Sequence, residues 1–319
     1  MSGATAMRVL VTGAGGFIGR VLVARLLEAG CNGQRIGHLV AADLSLNGLP
    51  DDVRLRPVVG SIAEASVLQR ALAEPVDVVF HLASVPGGAA ENAPDLGRRV
   101  NLDATAELLS LLREQGGRPR FVFASTVAVY GDPLPAVVDE HTPPRPVMSY
   151  GAHKLAAEVL VADAARRGWV DACSLRLPGV VARPGNGAGL VSAFMSQLFW
   201  KVAAGEPIVL PVTADGTAWW ISVTACVDNL LHAAAIDTGL LDQRRVVQMP
   251  ALHLSVGAVV DALALRHGEL RRGLVRYEPQ QSVQRLFASY PPLHTPQALA
   301  LGFRDDGSAQ ALVHRATLR

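Results

Sequence analysis

The chain has 319 residues, half of them hydrophobic, and a formal net charge of +1. That length exceeds one small domain and fits a large α/β body with an appended lobe. A near-neutral balance without a Lys/Arg stripe excludes nucleic acid as an expected partner, and no apolar run is long enough to make the membrane one.

In chain order, residues 9–12 read as a buried strand and 18–28 as the helix that follows. Between them Gly13, Gly16 and Gly19 recur at every third position. Strand, glycine turn and helix start, in that order, form a dinucleotide cradle. Gly13 allows the tight turn, Gly16 admits a pyrophosphate close to the backbone, and Gly19 lets the helix pack on the sheet. The helix start at Phe17-Ile18 offers N–H groups and the positive dipole end to phosphates. The same spacing also occurs in plain strand–helix connectors.

Strands are predicted over 38–43, 55–59, 76–82, 121–125 and 171–177, with helices over 63–73, 96–115 and 149–167. This alternation predicts a Rossmann-type doubly wound parallel sheet covered on both faces, with right-handed crossovers. After Pro178 the pattern changes. Residues 183–189 read as a Gly/Pro-rich loop, 190–204, 225–235 and 255–267 as helices, and 246–247 as a strand returning to the main sheet. The expected division is a dinucleotide-binding body over 1–178 plus about 223–250, and a smaller substrate-binding lobe over 179–222 and 251–319. The lobe is expected to close over the C-terminal edge of the sheet, where ligands bind in such folds. Cys31, Cys173 and Cys226 have neither metal-ligand nor redox spacing, so free thiols in a reducing compartment and no metal are expected. Residues 1–7 lack the apolar core of a signal peptide, and a cytoplasmic location is expected.

Asp43 ends the second strand, where a carboxylate accepts hydrogen bonds from adenosine ribose hydroxyls and repels a 2′-phosphate. Leu44-Ser45 follows it rather than an arginine, which favours NAD over NADP; Arg20 and Arg35 are the residues that could oppose this. Tyr150 and Lys154 are four residues apart, so in a helix both emerge on one face. Tyr150 is the candidate general base. A free phenol has a pKa near ~10, too high for that role at neutral pH, and the Lys154 charge one turn away favours the phenolate. Ser125-Thr126 ends the strand that precedes this helix. His81 reads as a packed strand-end residue rather than a catalyst. Asn101 reads equally as a positioning residue for the nearby helix or cofactor and as a helix cap.

Gly13/Gly16/Gly19, Asp43, His81-Leu82-Ala83, Asn101, Ser125-Thr126 with Val129-Tyr130-Gly131, and Tyr150/Lys154 together resemble the extended short-chain dehydrogenase/reductase family, which includes the nucleotide-sugar epimerases. Within it, Arg120 to Phe123, Ala128 to Gly131, Pro133 to Pro135, Leu175 to Gly185 and Trp219 to Val223 resemble the D-erythronate dehydrogenases. The resemblance implies that Lys154 also hydrogen-bonds the nicotinamide ribose and that Thr126 carries the hydroxyl holding the substrate oxygen, with Ser125 as the alternative. It implies cofactor contacts at Ser61, Ile62, Leu82, Ala83, Asn101 and Pro178. Ser61-Ile62 stands where family members often carry an Asp, so one charged adenine contact is missing. Arg183 is the candidate anchor for a substrate carboxylate. Ser84, Asn186, Trp219 and Ser222 are further substrate candidates. A salt bridge at Arg183 and lobe packing at Trp219 are the alternatives for those two.

Three functions follow as expectations. The first is NAD-dependent oxidation of the C2 hydroxyl of a small sugar acid such as D-erythronate, by a homodimer as the resemblance implies. The second is a nucleotide-sugar epimerase; a dehydratase is disfavoured because Val127-Ala128, not acidic residues, follow Thr126. The third is a non-catalytic dinucleotide sensor, which the joint retention of Thr126, Tyr150 and Lys154 argues against.

Overall fold

The computed structural model describes residues 6–185 and 191–317. In chain order the first elements are β1 (Met7–Thr12), α1 (Phe17–Ala29), β2 (Ile36–Asp43), β3 (Leu55–Val59), α2 (Ala65–Ala71) and β4 (Val78–His81). There follow α3 (Gly87–Asn92), α4 (Pro94–Arg98), a π-helical turn (Arg99–Asp103), α5 (Ala104–Gln115), β5 (Arg120–Thr126), β6 (Val138–Asp139), α6 (Ser149–Arg166) and β7 (Asp171–Leu177). The remainder includes β8 (Gly179–Val181), α7 (Ala193–Ala204), β9 (Ile208–Leu210), β10 (Thr217–Ser222), α8 (Val223–Ala235), β11 (Val246–Gln248), β12 (Leu252–Ser255) and α9 (Val256–His267). The last elements are β13 (Val275–Tyr277), α10 (Gln281–Phe287), β14 (Leu293–His294), α11 (Pro296–Ala300) and α12 (Ala309–Ala316).

The chain divides into two compact units. The first comprises residues 1–129, 146–176 and 227–247, and carries a seven-stranded sheet in the order β11-β7-β5-β4-β1-β2-β3. The pairs β1/β2, β2/β3, β1/β4 and β4/β5 are parallel. Strands buried on both faces need continuous apolar runs, and β1, β4 and β5 have them: Val9, Leu10, Val79, Phe80, Phe121 and Phe123 are fully enclosed. The order reverses between β1 and β4, so the ligand crevice of this fold lies beyond the C-terminal ends of those strands.

The predicted helix over 96–115 is instead α4, the π-turn and α5 in succession. The π-turn holds one residue more than an α-turn and includes Asn101, whose amide is drawn onto the loop after β4.

The second unit comprises 130–145, 177–226 and 248–319. It takes in Tyr130–Arg145, read from the sequence as part of the first body, because β6 pairs there with β14. Its mixed sheet β12-β10-β8 pairs parallel on one side of β10 and antiparallel on the other. Its core packs Leu198, Phe199 and Val202 of α7 with Trp220, Val259 and Leu263. Asp306 accepts the Ser222 hydroxyl at 2.6 Å and its N–H at 2.8 Å, and the same hydroxyl accepts the Ala225 N–H at the start of α8. Ser222 is therefore a structural cap and not a substrate ligand.

Candidate active site

The glycine turn is built around places where a side chain cannot stand. A Cβ on Gly19 would lie 2.0 Å from the Gly13 carbonyl oxygen, and one on Gly13 would lie 2.7 Å from the Ala83 nitrogen. Gly13 also has φ +73°, the left-handed region that glycine enters without strain. Gly16, the N-cap of α1, is different: its Cβ direction meets only the Gly13 oxygen, at 3.2 Å. The turn thus keeps clear space at Gly16 in front of the N-terminus of α1, which begins at Phe17-Ile18. A diphosphate fits that cradle.

Gly15, given no role in the sequence reading, is the tightest position of this turn. A Cβ there would lie 1.8 Å from the Ser45 carbonyl oxygen. Its N–H donates to Asp43 Oδ2 at 2.9 Å, and Asp43 Oδ1 accepts the Leu44 N–H at 2.6 Å. The carboxylate that would take the ribose hydroxyls is thereby fixed against the glycine turn. Arg20 Nε donates to the Gly15 carbonyl at 2.7 Å, so this arginine does stand at the ribose end. Arg35 does not. Its carbonyl accepts the Met7 N–H before β2 begins, eight residues and roughly 25 Å of extended chain from Asp43.

The rest of the cofactor edge is held by buried polar groups. The Gly60 N–H donates to the Asp43 carbonyl at 3.0 Å, bringing Ser61 alongside, and Ser61 Oγ accepts the Ala63 N–H at 3.2 Å. Ile62 is buried. Leu82 and Ala83 are tied to β1 through the Thr12 carbonyl and hydroxyl, at 3.1 and 3.3 Å. Asn101 is no helix cap. Its amide accepts the Val85 N–H at 2.7 Å and donates to the Val85 carbonyl at 2.9 Å, which pins the loop carrying Leu82, Ala83 and Ser84. His81 bridges Thr12 at 2.7 Å and Thr105 at 2.9 Å and stacks on Phe123. Burial, with the Lys154 charge, pushes its pKa down to about 3, so it is neutral and structural.

Thr126 closes β5 with its Oγ1 accepting the Ala128 N–H at 3.1 Å. Tyr150 and Lys154 lie on the first turns of α6. Gly151 lets this helix approach closely, since a Cβ there would lie 2.4 Å from the Ala128 carbonyl oxygen. Tyr150 keeps partial exposure, whereas Lys154 is buried with Nζ 4.7 Å from the centre of the Phe123 ring. Burial brings the Lys154 pKa down to about 7, against the opposing pull of Glu158. Ser125, the alternative to Thr126, is removed from candidacy: its hydroxyl donates to Glu158 Oε1 at 2.5 Å inside the protein. Glu158 in turn takes Arg176 in a two-pronged ion pair, at 3.0 and 2.8 Å, with both side chains 4% exposed. Neither Glu158 nor Arg176 was read from the sequence as part of the site.

Of the candidates in the second unit, Trp219 is corrected. Its ring is 1% exposed, its indole N–H donates to the Pro291 carbonyl at 2.7 Å, and Tyr130 and Tyr290 pack against it. It is a packing residue, as wide aromatic area with a satisfied N–H would be. Pro178 joins β7 to β8. Arg183 is exposed, and its carbonyl accepts the Trp200 indole N–H at 2.8 Å. Asn186 lies outside the described residues. The three cysteines are buried and free, and burial lifts the thiols of Cys31 and Cys173 to about 11 and about 12, away from nucleophilic use. No group of acidic, His and Cys side chains among the described residues could hold a metal. No helix among them is long and apolar enough to cross a membrane.

Residues 9–241 match the model of the NAD dependent epimerase/dehydratase family. The chain belongs to this family. The glycine cradle and the fixed Asp43 fit the NAD that its description specifies. The chain is 37% identical over 313 residues to a D-erythronate dehydrogenase of Cupriavidus necator, covering 96% of this chain and 97% of that one. It is 31% identical over 311 residues to a D-erythronate dehydrogenase of Haemophilus influenzae, covering 97% and 98%. Among solved structures it is similar to the nucleoside-diphosphate-sugar epimerase from Agrobacterium tumefaciens, with a TM-score of 0.88, 31% identity and coverage of 98% and 95%.

Gly15→Ala is expected to lower stability by roughly 1–3 kcal/mol, because a packed site must shift, and to weaken NAD binding at least ~10-fold, since a one-ångström misplacement is costly. Urea denaturation and calorimetric titration with NAD read both effects. Gly273→Ala, where a Cβ meets nothing within 4 Å, is the control and should change neither. A second prediction concerns acid. An unfolded imidazole binds its proton near ~6.5, whereas folded His81 does so only at about 3. Between those values the unfolded state holds more protons, so stability falls as pH falls. His81→Asn is expected to flatten the loss of stability between about pH 6.5 and pH 4; an unchanged slope in urea midpoints would place that loss elsewhere.

Proposed function

We propose that this protein is a NAD-dependent dehydrogenase that oxidises the C2 hydroxyl of a small sugar acid, D-erythronate first among them, to the 2-oxo acid. The observation that carries the reading is the buried Lys154 one turn beyond a partly exposed Tyr150, in a chain 37% identical over nearly its whole length to a D-erythronate dehydrogenase.

The Thr126 hydroxyl holds the substrate oxygen. Tyr150, as phenolate, takes the C2 hydroxyl proton as the carbonyl forms. The Lys154 ammonium stabilises that phenolate through the helix spacing. NAD, held by the glycine turn and Asp43, would supply the acceptor for the hydride on C2. Asp43 selects the unphosphorylated ribose. Arg183 anchors the carboxylate of the acid through its planar fork. The 31% identity to a nucleoside-diphosphate-sugar epimerase supports a second reading, in which the same residues would take and give back a sugar hydroxyl proton while NAD would hold the hydride until its return to the opposite face.

The test is NAD reduction, followed by absorbance, with four- to six-carbon sugar acids, beside NADP and nucleotide sugars. Reduction of NAD by D-erythronate is expected, with Tyr150→Phe lowering kcat by about 10²–10⁴-fold and Arg183→Ala raising KM more than it lowers kcat. No turnover of any acid, with a nucleotide sugar interconverted at constant NAD, would replace this reading by the epimerase.

A further inference from the structure

The group around Glu158 is not used in the steps above, yet it lies on β5 and α6, the two elements that carry Thr126, Tyr150 and Lys154. Ser125 sits beside Thr126 on β5, Glu158 lies one turn beyond Lys154 on α6, and Arg176 is on β7. Glu158 accepts the Ser125 hydroxyl at 2.5 Å and two guanidinium bonds at 3.0 and 2.8 Å. All three side chains are buried, Ser125 at 2%, Glu158 at 3% and Arg176 at 3% exposure. Removing charges from water is costly, and a buried pair is often no better for stability than apolar residues of the same size. Such a cluster beside a reaction site invites a role other than stability.

We propose that Glu158, clamped by Arg176 and Ser125, is a positioning residue: it sets α6 in register with Thr126 and supplies the buried negative charge that keeps Lys154 protonated next to Tyr150. The inference rests on the dehydrogenase reading for its use in turnover, but its physical content concerns Lys154 and Tyr150 alone.

The surroundings of Lys154 leave that part to Glu158. His81 on β4 is neutral and brings no charge. Phe123 on β5 offers only a ring face. Arg176 on β7 is a cation, turned onto Glu158 in both of its bonds to that carboxylate. On the helices and the π-turn packed against α6, Glu91 accepts the Ser149 N–H, and Asp95, Arg98, Arg99, Asp103 and Glu107 are exposed. Burial drives Lys154 toward its neutral form, and the Glu158 charge acts the other way. Without that charge the amine would lie further toward its neutral form. The phenol one turn back would then lose the cation that favours its ionisation.

The test is a spectrophotometric titration of Tyr150, read as phenolate absorbance near ~295 nm in the full-length protein, with Tyr150→Phe subtracted to isolate one tyrosine of four. Tyr290 is held up at about 12 and Tyr277 above its ordinary value, so neither overlaps the early part of the titration. Glu158→Gln is expected to move the Tyr150 midpoint up by about one unit or more, and the acid limb of kcat/KM with it. Arg176→Lys, which keeps the charge, should stay near wild type. If Glu158→Gln does not fold, Glu158→Gln with Arg176→Met removes both charges, and an upward shift is still expected, smaller because a cation is lost with the carboxylate. A folded variant whose Tyr150 titrates at the wild-type midpoint overturns the proposal. Failure of the charge-balanced double variant to fold also overturns it, by assigning the pair to stability. The titration needs no substrate, so its failure is distinct from failure of the sugar-acid reading, which appears only in turnover.

Discussion

The lack of room for a Cβ at the end of β1 is the constraint from which the cofactor site follows. Gly13, Gly15 and Gly19 each face backbone atoms at distances that no side chain tolerates. Because the backbone closes on itself there, α1 starts directly beyond β1, and its N-terminus opens onto the space left at Gly16. Asp43 is fixed by the same crowding, since the Gly15 N–H that holds its carboxylate is presented by the turn. The phosphate end and the ribose end of the cradle are thus one backbone arrangement. A change at either end is felt at the other.

Beyond the turn, the crevice is shaped by buried polar groups that satisfy one another. Thr12, His81, Thr105 and Asn101 form a continuous line of hydrogen bonds from β1 through β4 to the helix beyond. The line ends on both backbone groups of Val85. An imidazole inside a sheet is costly if either nitrogen is left unpaired. Here both are paired, and the loop after β4 is tied to β1 and to the π-turn.

Much of this could be read from the sequence for a simple reason. Parallel strands enclosed on both faces are continuous apolar runs, and each is bounded by Gly, Pro or a polar turn, so β1 to β5 and β7 stand out one by one. The glycine spacing and the Tyr150/Lys154 pair are local patterns, legible within a few residues. What could not be read depends on partners distant in the chain. Gly15 is confined by Ser45, thirty positions on, and Ser125 meets Glu158, thirty-three positions on. The π-turn at Asn101 changes no composition and leaves no periodic trace. Trp219 was offered as a ligand because it is a large aromatic near a candidate loop; only the Pro291 carbonyl and the flanking tyrosines reveal its part in packing. In the second unit the strands β6, β8, β9, β13 and β14 have two or three residues each, too short for any period to register.

The distribution of residues also bears on how such a chain acquires its substrate. The cradle, Thr126, Tyr150 and Lys154 all belong to the first unit. The family description covers epimerases and dehydratases alike, and relatives similar over nearly the whole chain include both dehydrogenases and an epimerase. A machinery shared by these reactions cannot distinguish them. Withdrawing hydride from a carbon that bears a hydroxyl is common to all, and they diverge in which carbon is presented and whether the hydride is given back. That choice falls to groups that orient the substrate rather than to groups that move its proton. Arg183 stands on the second unit, in a stretch whose backbone is tied by Trp200. On the proposed dehydrogenase reading, substrate choice therefore turns on a residue outside the unit that carries Thr126, Tyr150 and Lys154.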